Sequence, residues 1–145
     1  MKYPKKKELP VGQWEVSAPI STIGEFSVSS REVDSGDKTT LHVKRGFQQY
    51  TRAEWGLPDT VQAERVIYLC RIEPRVARKL GGGRSLLTWL TEFVDTNGLW
   101  LTAEVQVDGH FDISDEYVIK YLTSKYSFEM RIPDIPHVLV RPPQS

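Results

Sequence analysis

Apolar residues recur at every second position in some stretches of the chain and at every third or fourth in others, and the two patterns mark out its elements. Gln13-Trp14-Glu15-Val16-Ser17 alternates and predicts a first strand, closed by Pro19. Gly24 to Val33 alternates again, with Phe26 and Val28 opposed to Ser27 and Ser29. Ser35-Gly36-Asp37 reads as a hairpin turn, and Thr39 to Lys44 then sets Leu41 and Val43 on one face and His42 on the other. Phe47, Tyr50, Thr51 and Trp55 fall at helical intervals before Gly56 and Pro58, which predicts a short amphipathic helix. Its aromatic stripe reads as core, with a pocket floor of Tyr50 and Trp55 as the alternative.

The second half alternates strand and helix. Val66-Ile67-Tyr68-Leu69-Cys70-Arg71-Ile72-Glu73-Pro74 is a β-branched and aromatic run of the kind found in a buried strand. Leu86, Leu87, Leu90, Phe93 and Val94 form the stripe of a helix lying on a sheet, stopped by Asn97-Gly98. Leu99, Leu101, Ala103, Val105 and Val107 alternate with Trp100, Thr102, Glu104 and Gln106, a strand with one apolar face. A strand, a long connecting helix and a strand predict a parallel pair with a right-handed crossover. Ser114-Asp115-Glu116 opens another helix, with Tyr117, Val118, Tyr121 and Leu122 as its apolar stripe. Phe128 to Arg131 and His137 to Val140 read as final strands, and Arg141 to Ser145 as a proline-rich tail. The fold class is α+β.

At 145 residues the chain is expected to form one domain, residues 1–145, with a basic arm over 1–10. Lys plus Arg equals Asp plus Glu at 19 each, so there is no overall basic field, which argues against nucleic acid as a partner. Basic residues instead gather locally, at Lys2, Lys5, Lys6 and Lys7 and again at Arg71, Arg75, Arg78, Lys79 and Arg84. Cys70 is the sole cysteine, which excludes an internal disulfide and a cysteine-rich zinc site, and its apolar surroundings suit a buried structural thiol. His42 is expected on an exposed strand face and His110 in an exposed loop, neither with partners at metal-ligand spacing. No apolar run follows the N-terminal lysines and none is long enough for a membrane span, so a cytoplasmic, soluble protein with no membrane partner is expected.

Arg78-Lys79-Leu80-Gly81-Gly82-Gly83-Arg84-Ser85 joins the buried strand to the helix expected to begin near Arg84. Three glycines without Cβ atoms allow a sharp turn that exposes backbone N–H groups, and a helix start adds its positive end. That is the outline of an anion site. Here the chain resembles the GNAT family of acyl-CoA-dependent N-acyltransferases over residues 64–128. Arg78, Gly81 and Gly83 stand in the family's Arg-x-x-Gly-x-Gly pyrophosphate pattern, with Ile72-Glu73-Pro74 before it and Leu86-Leu87 after it. Lys125-Tyr126-Ser127-Phe128 resembles the end of the family's next helix, with Ser127 where glycine is usual.

The resemblance implies a mixed, mostly antiparallel twisted sheet with a central parallel strand pair and helices on both faces. It implies acetyl-CoA or another acyl-CoA as co-substrate, no metal, and cofactor contacts from Ile72, Arg78, Lys79, Leu80, Gly81, Gly82, Gly83, Arg84 and Ser85. Tyr121 is the tyrosine nearest the position from which the family commonly protonates the departing thiolate, although Thr123 holds that position itself; core packing is the other account of its ring. Glu73 at the strand end and Glu104 on the polar face of the second parallel strand, both near the loop end, are the candidate bases, and His110 or a water chain would serve the same end. The acceptor is an amine on a small molecule or protein, and a homodimer is compatible with the fold. The alternative function is a non-catalytic α+β interaction protein acting through a protein partner.

Overall fold

The computed structural model describes residues 14–17, 25–32, 38–73, 80–105 and 114–145, and of residues 14–17, 25–32, 38–39, 71–73 and 80–85 the backbone alone. The strands are β1 (Trp14–Ser17), β2 (Glu25–Glu32), β3 (Lys38–Arg45), β4 (Val66–Glu73), β5 (Trp100–Glu104) and β6 (Val138–Arg141). They form a 6-stranded sheet in the order β1-β2-β3-β4-β5-β6. The helices are α1 (Arg52–Trp55), α2 (Leu80–Thr96) and α3 (Asp115–Lys125). The fold is therefore α+β.

Neighbouring strands are antiparallel except for β4 and β5, which run parallel with Val66 opposite Trp100 and Leu69 opposite Ala103. The expected parallel pair is present, with α2 in the crossover between its two strands. The predicted turn at Ser35-Gly36-Asp37 lies outside the described residues, while the strands on either side of it pair antiparallel as a hairpin requires.

Side chains alternate across the sheet and build two cores. Leu41, Val43, Ile67, Leu69, Leu101, Ala103 and Leu139 meet the predicted α2 stripe of Leu86, Leu87, Leu90, Phe93 and Val94, and Leu122 of α3 joins them. Val66, Val138 and Val140 face the other way, onto Trp55 of α1, Leu57 and Val61. Burying each large apolar side chain is favourable by roughly 1.5–3 kcal/mol, and each helical glycine costs roughly 1 kcal/mol relative to alanine. The α2 seam therefore outweighs the three glycines at its start, and the helix begins at Leu80, not near Arg84.

Three further expectations change. The helix predicted from Phe47 to Trp55 is shortened to Arg52–Trp55, because Thr51 and Glu54 form a reciprocal capping box and Gln48 stands at φ 55, outside helical space. Tyr117 is 49% exposed, so the inward stripe of α3 is instead Val118, Ile119, Tyr121 and Leu122. Arg141 belongs to β6 rather than to a tail and is only 4% exposed. It donates from Nη1 and Nη2 to the two Asp95 carboxylate oxygens of α2 at 2.7 and 2.9 Å, and from Nε to the Tyr126 carbonyl at 2.6 Å. Such a fork satisfies the buried charge in full.

Past α3, Ser127 stands at φ 62, the left-handed backbone that favours glycine, and Phe128 beyond it is buried. Glu129 bridges Val140, so the expected strand there is reduced to a single pairing against β6. Gly56 closes α1 at φ 77, where an added Cβ would stand 2.9 Å from Cβ of Arg131. Ser127→Gly is expected to raise stability by about 0.5–1 kcal/mol, the relief of left-handed strain exceeding the entropy glycine adds to the unfolded chain. Asp95→Ala, which strands Arg141, is expected to lower it by about 3 kcal/mol. Urea denaturation of the two variants checks both.

Candidate functional site

The parallel pair is fixed at one end and open at the other. At its start, Nη2 of Arg65 donates to the carbonyls of Asn97 and Gly98 at 3.0 and 3.1 Å, tying the entrance of β4 to that of β5. The pairing then runs from Val66 with Trp100 to Leu69 with Ala103 and stops. At that point the β3–β4 register shifts: His42 of β3 is opposite Arg71 and Val43 is opposite Leu69, so Cys70 is the inserted residue of a bulge in β4. Bulges bend the strand that carries them. Beyond it β4 stays with β3, Ile72 opposite Leu41 and Glu73 opposite Thr40. The N–H of Val105, just past β5, turns to the His137 carbonyl at 2.8 Å. The two strands thus part after Leu69 and Ala103, each held by its outer neighbour.

The same end receives the start of α2. Arg65 holds the residues that follow α2 beside the start of β4. A helix from Leu80 to Thr96 is about 25 Å long, so its N-terminus lies toward the carboxyl ends of the strands. The N–H groups of a helix's first turn have no intrahelical partner, and Leu80, Gly81 and Gly82 stand in that turn.

Of the expected site residues, Ile72 and Glu73 end β4 and Glu104 ends β5, while Leu80, Gly81, Gly82, Gly83, Arg84 and Ser85 form the first turns of α2, whose backbone runs closest to β1, β2 and β3. Arg78 and Lys79 lie outside the described residues, as does His110. Tyr121 is half-buried in α3 with its ring 5.6 Å from that of Tyr126, packed on the α2 side of the sheet. Its ring is accounted for by that packing.

Around Glu104, on the opposite face, stand two tyrosines. The ring of Tyr50 meets Trp55 edge-on at 4.9 Å, and Trp55 lies 5.8 Å from Tyr68 of β4. Trp55 is wholly buried, its indole N–H donated to the Phe47 carbonyl, so it acts as the fixed middle of this run. Hydrogen bonding with Glu104 is the main reason the Tyr50 phenol is pushed up to about 12; burial and the charges of Glu104, Tyr68 and Glu54 add to it. Burial comes first for Tyr68, whose phenol is raised as well, followed by the Cys70 and Glu104 charges. Every charge named here makes the hydroxyls harder to ionise, so both face a negative local field.

Tyr68 was not legible as a site residue, since it sits within an apolar run that hides which positions share a face with Glu104. Tyr50 is expected as core or pocket floor, and its half-buried ring packs on Trp55 as core. Cys70 is half-buried, not fully buried, and occupies the bulge with Sγ 3.9 Å from the Tyr68 carbonyl. His42 is half-buried with Nε2 shielded from solvent, where an exposed strand histidine was expected. Among the described residues no group of three or more His, Cys, Asp or Glu is placed to hold a metal ion, and no helix is long and apolar enough to cross a membrane.

No family model, no curated protein and no solved structure matches the chain.

Unfolded, Tyr50 ionises near pH 10, whereas folded it keeps its proton to about 12. Between those values the unfolded chain binds fewer protons, so stability is full below pH 10 and falls as pH rises toward 12. Tyrosinate absorbance at high pH, before unfolding sets in, is expected to show a late-ionising tyrosine that disappears in Tyr50→Phe.

Proposed function

We propose that the chain is an acyl-CoA-dependent N-acyltransferase of GNAT-like fold, moving acetyl or a related acyl group to an amine of a small molecule or protein. The observation that carries this is the parting of β4 and β5 after Leu69 and Ala103, beside the Cys70 bulge and at the end where α2 begins. A gap between parallel strands admits a narrow, extended group such as a pantetheine arm, whose amides need the backbone partners that unpaired strand edges supply. The pyrophosphate at its far end then meets the N–H groups at the start of α2, from Lys79 to Arg84 in the sequence motif, with Arg78 or Arg84 adding charge.

In this reading a main-chain N–H near Ile72 or Glu73 polarises the thioester carbonyl, which gains negative charge as the amine adds. Glu104 takes the proton that the amine loses, with Glu73 as the other carboxylate at the same end. Tyr121 remains the tyrosine that resemblance points to for the departing thiolate.

The observation favouring a non-catalytic interaction protein is the early half of the chain. Only seven residues separate β1 from β2, a short span for the one or two helices the family normally places there, and the helix after β3 is a single turn.

Calorimetric titration with acetyl-CoA separates the two, with desulfo-CoA and ATP as controls. Saturable binding of both CoA compounds is expected, weakened at least about ten-fold, or ~1.4 kcal/mol, in Gly83→Glu. A carboxylate suits the first turn of a helix, so that substitution opposes the ligand's charge without unfolding the chain. Absence of binding at millimolar acetyl-CoA would overturn the proposal in favour of the interaction protein.

A further inference from the structure

Because side chains alternate across a sheet, its two faces become the two sides of the cleft. Leu101 and Ala103 of β5 and Leu139 of β6 lie in the core that α2 covers. Glu104, opposite Val138, takes the other face, where Val138 and Val140 pack with Trp55. Under the acyltransferase reading, CoA approaches from the α2 side, since its pyrophosphate meets the start of that helix. The acyl carbon then lies between the parted strands with its sulfur toward α2, and the amine arrives from the face of Glu104. The register brings a histidine to the sulfur's side. Glu104 pairs with Val138, and the N–H of Val105 donates to the His137 carbonyl at 2.8 Å, the next rung of the same ladder. Opposite residues of an antiparallel pair share a face, and Val105 belongs to the core with α2. His137 therefore stands on the α2 side, half-buried, one strand spacing of ~4.8 Å beyond the end of β5. Its turn is fixed by N–H bonds from Ile135 to the Ile132 carbonyl and from Val138 to the Ile135 carbonyl, both at 3.1 Å. His42, by contrast, alternates with buried Leu41 and Val43 and belongs to the opposite face.

We propose that His137 is a catalytic residue, the acid that reaches over Val105 and hands a proton to the CoA sulfur as the thioester breaks. The inference rests on the acyltransferase reading above and goes beyond it by assigning the proton donor to the residue before β6 instead of to Tyr121, whose ring packs on Tyr126. In the step served, the amine nitrogen's lone pair forms the N–C bond to the thioester carbonyl, and the extra N–H proton passes to Glu104. The C–S bond breaks with its electron pair leaving on sulfur, which takes a ring N–H proton from the imidazolium. The neutral imidazole then regains a proton from water, and Glu104 returns one. Histidine suits such an exchange, being the side chain that gives up and takes a proton within the neutral range. Acid and base on opposite faces are also kept from exchanging protons directly.

The first arm of the test uses the full parent chain and needs no acceptor. Ring-nitrogen resonances of the histidines, assigned through bonds, are followed by NMR while CoA or desulfo-CoA is added to saturation. The His137 signal is expected to move with CoA and to stay in place with desulfo-CoA, which lacks the sulfur. The second arm supplies acetyl-CoA and n-butylamine in excess and reads release of free CoA thiol. His137→Gln keeps a polar side chain but has no proton to hand over. It is expected to lower kcat about 100-fold, the low end of what general acid catalysis contributes, with acetyl-CoA affinity by calorimetry unchanged. Should His137→Gln not fold, or n-butylamine not serve as acceptor, the resonance arm decides alone. Failure of the parent chain to bind any CoA compound overturns the acyltransferase reading itself. If CoA binds, this inference alone is overturned by a His137 signal that answers both ligands equally or neither, by a His137→Gln variant as active as the parent, or by a loss confined to acetyl-CoA affinity.

Discussion

The short parallel ladder between β4 and β5 is the constraint on which the rest of the structure depends. It is four residues long on each strand, clamped at its start by Arg65 and abandoned at Leu69 and Ala103. A parallel pair requires a crossover, and α2 supplies it while covering one face of the sheet. The amphipathic helix is thus both connector and lid of the larger core. Because both strands are also paired on their outer sides, β4 to β3 and β5 to β6, each keeps the hydrogen bonds of that side where the two part.

Much of this architecture was legible in the order of residues. Strands β2, β3 and β5 follow from alternation and β4 from its β-branched and aromatic run, and the α2 stripe from Leu86 to Val94 is the one that packs. Ser114 caps α3 as its position before Asp115 and Glu116 suggests. What could not be read depends on partners distant in sequence. The bulge at Cys70 is a mismatch of register with β3 and leaves no mark in the local pattern. Arg141 looked like part of a polar tail because its partner, Asp95, is on a helix far earlier in the chain. Tyr117 and Ile119 differ in exposure through the rotation of α3 on the sheet, which apolar spacing alone leaves ambiguous by one residue.

The site divides in the same way. Glu104 was nameable because it is a carboxylate on the polar face of a strand expected to run parallel to β4. The glycine run was nameable because glycine has few other reasons to repeat, although its residues enter the helix instead of forming a loop before it. Tyr50 and Tyr68 join Glu104 only through Trp55, whose complete burial creates the adjacency. Aromatic residues spaced along a sequence announce a core; which of them keeps a hydroxyl at its edge is decided by the fold.

The place of β6 bears on how the sheet holds together. This strand, Val138–Arg141, pairs with β5 on one side and meets Glu129 in a single bridge on the other. Without it β5 would present an unpaired edge and Asp95 would lack its cation. The β1 to β4 meander joins only consecutive strands, whereas the parallel pair depends on α2 between its members and on β6, more than thirty residues further along the chain. The half of the molecule proposed to do chemistry is therefore the half built from contacts between distant segments, whose loop closure is the slower part of folding.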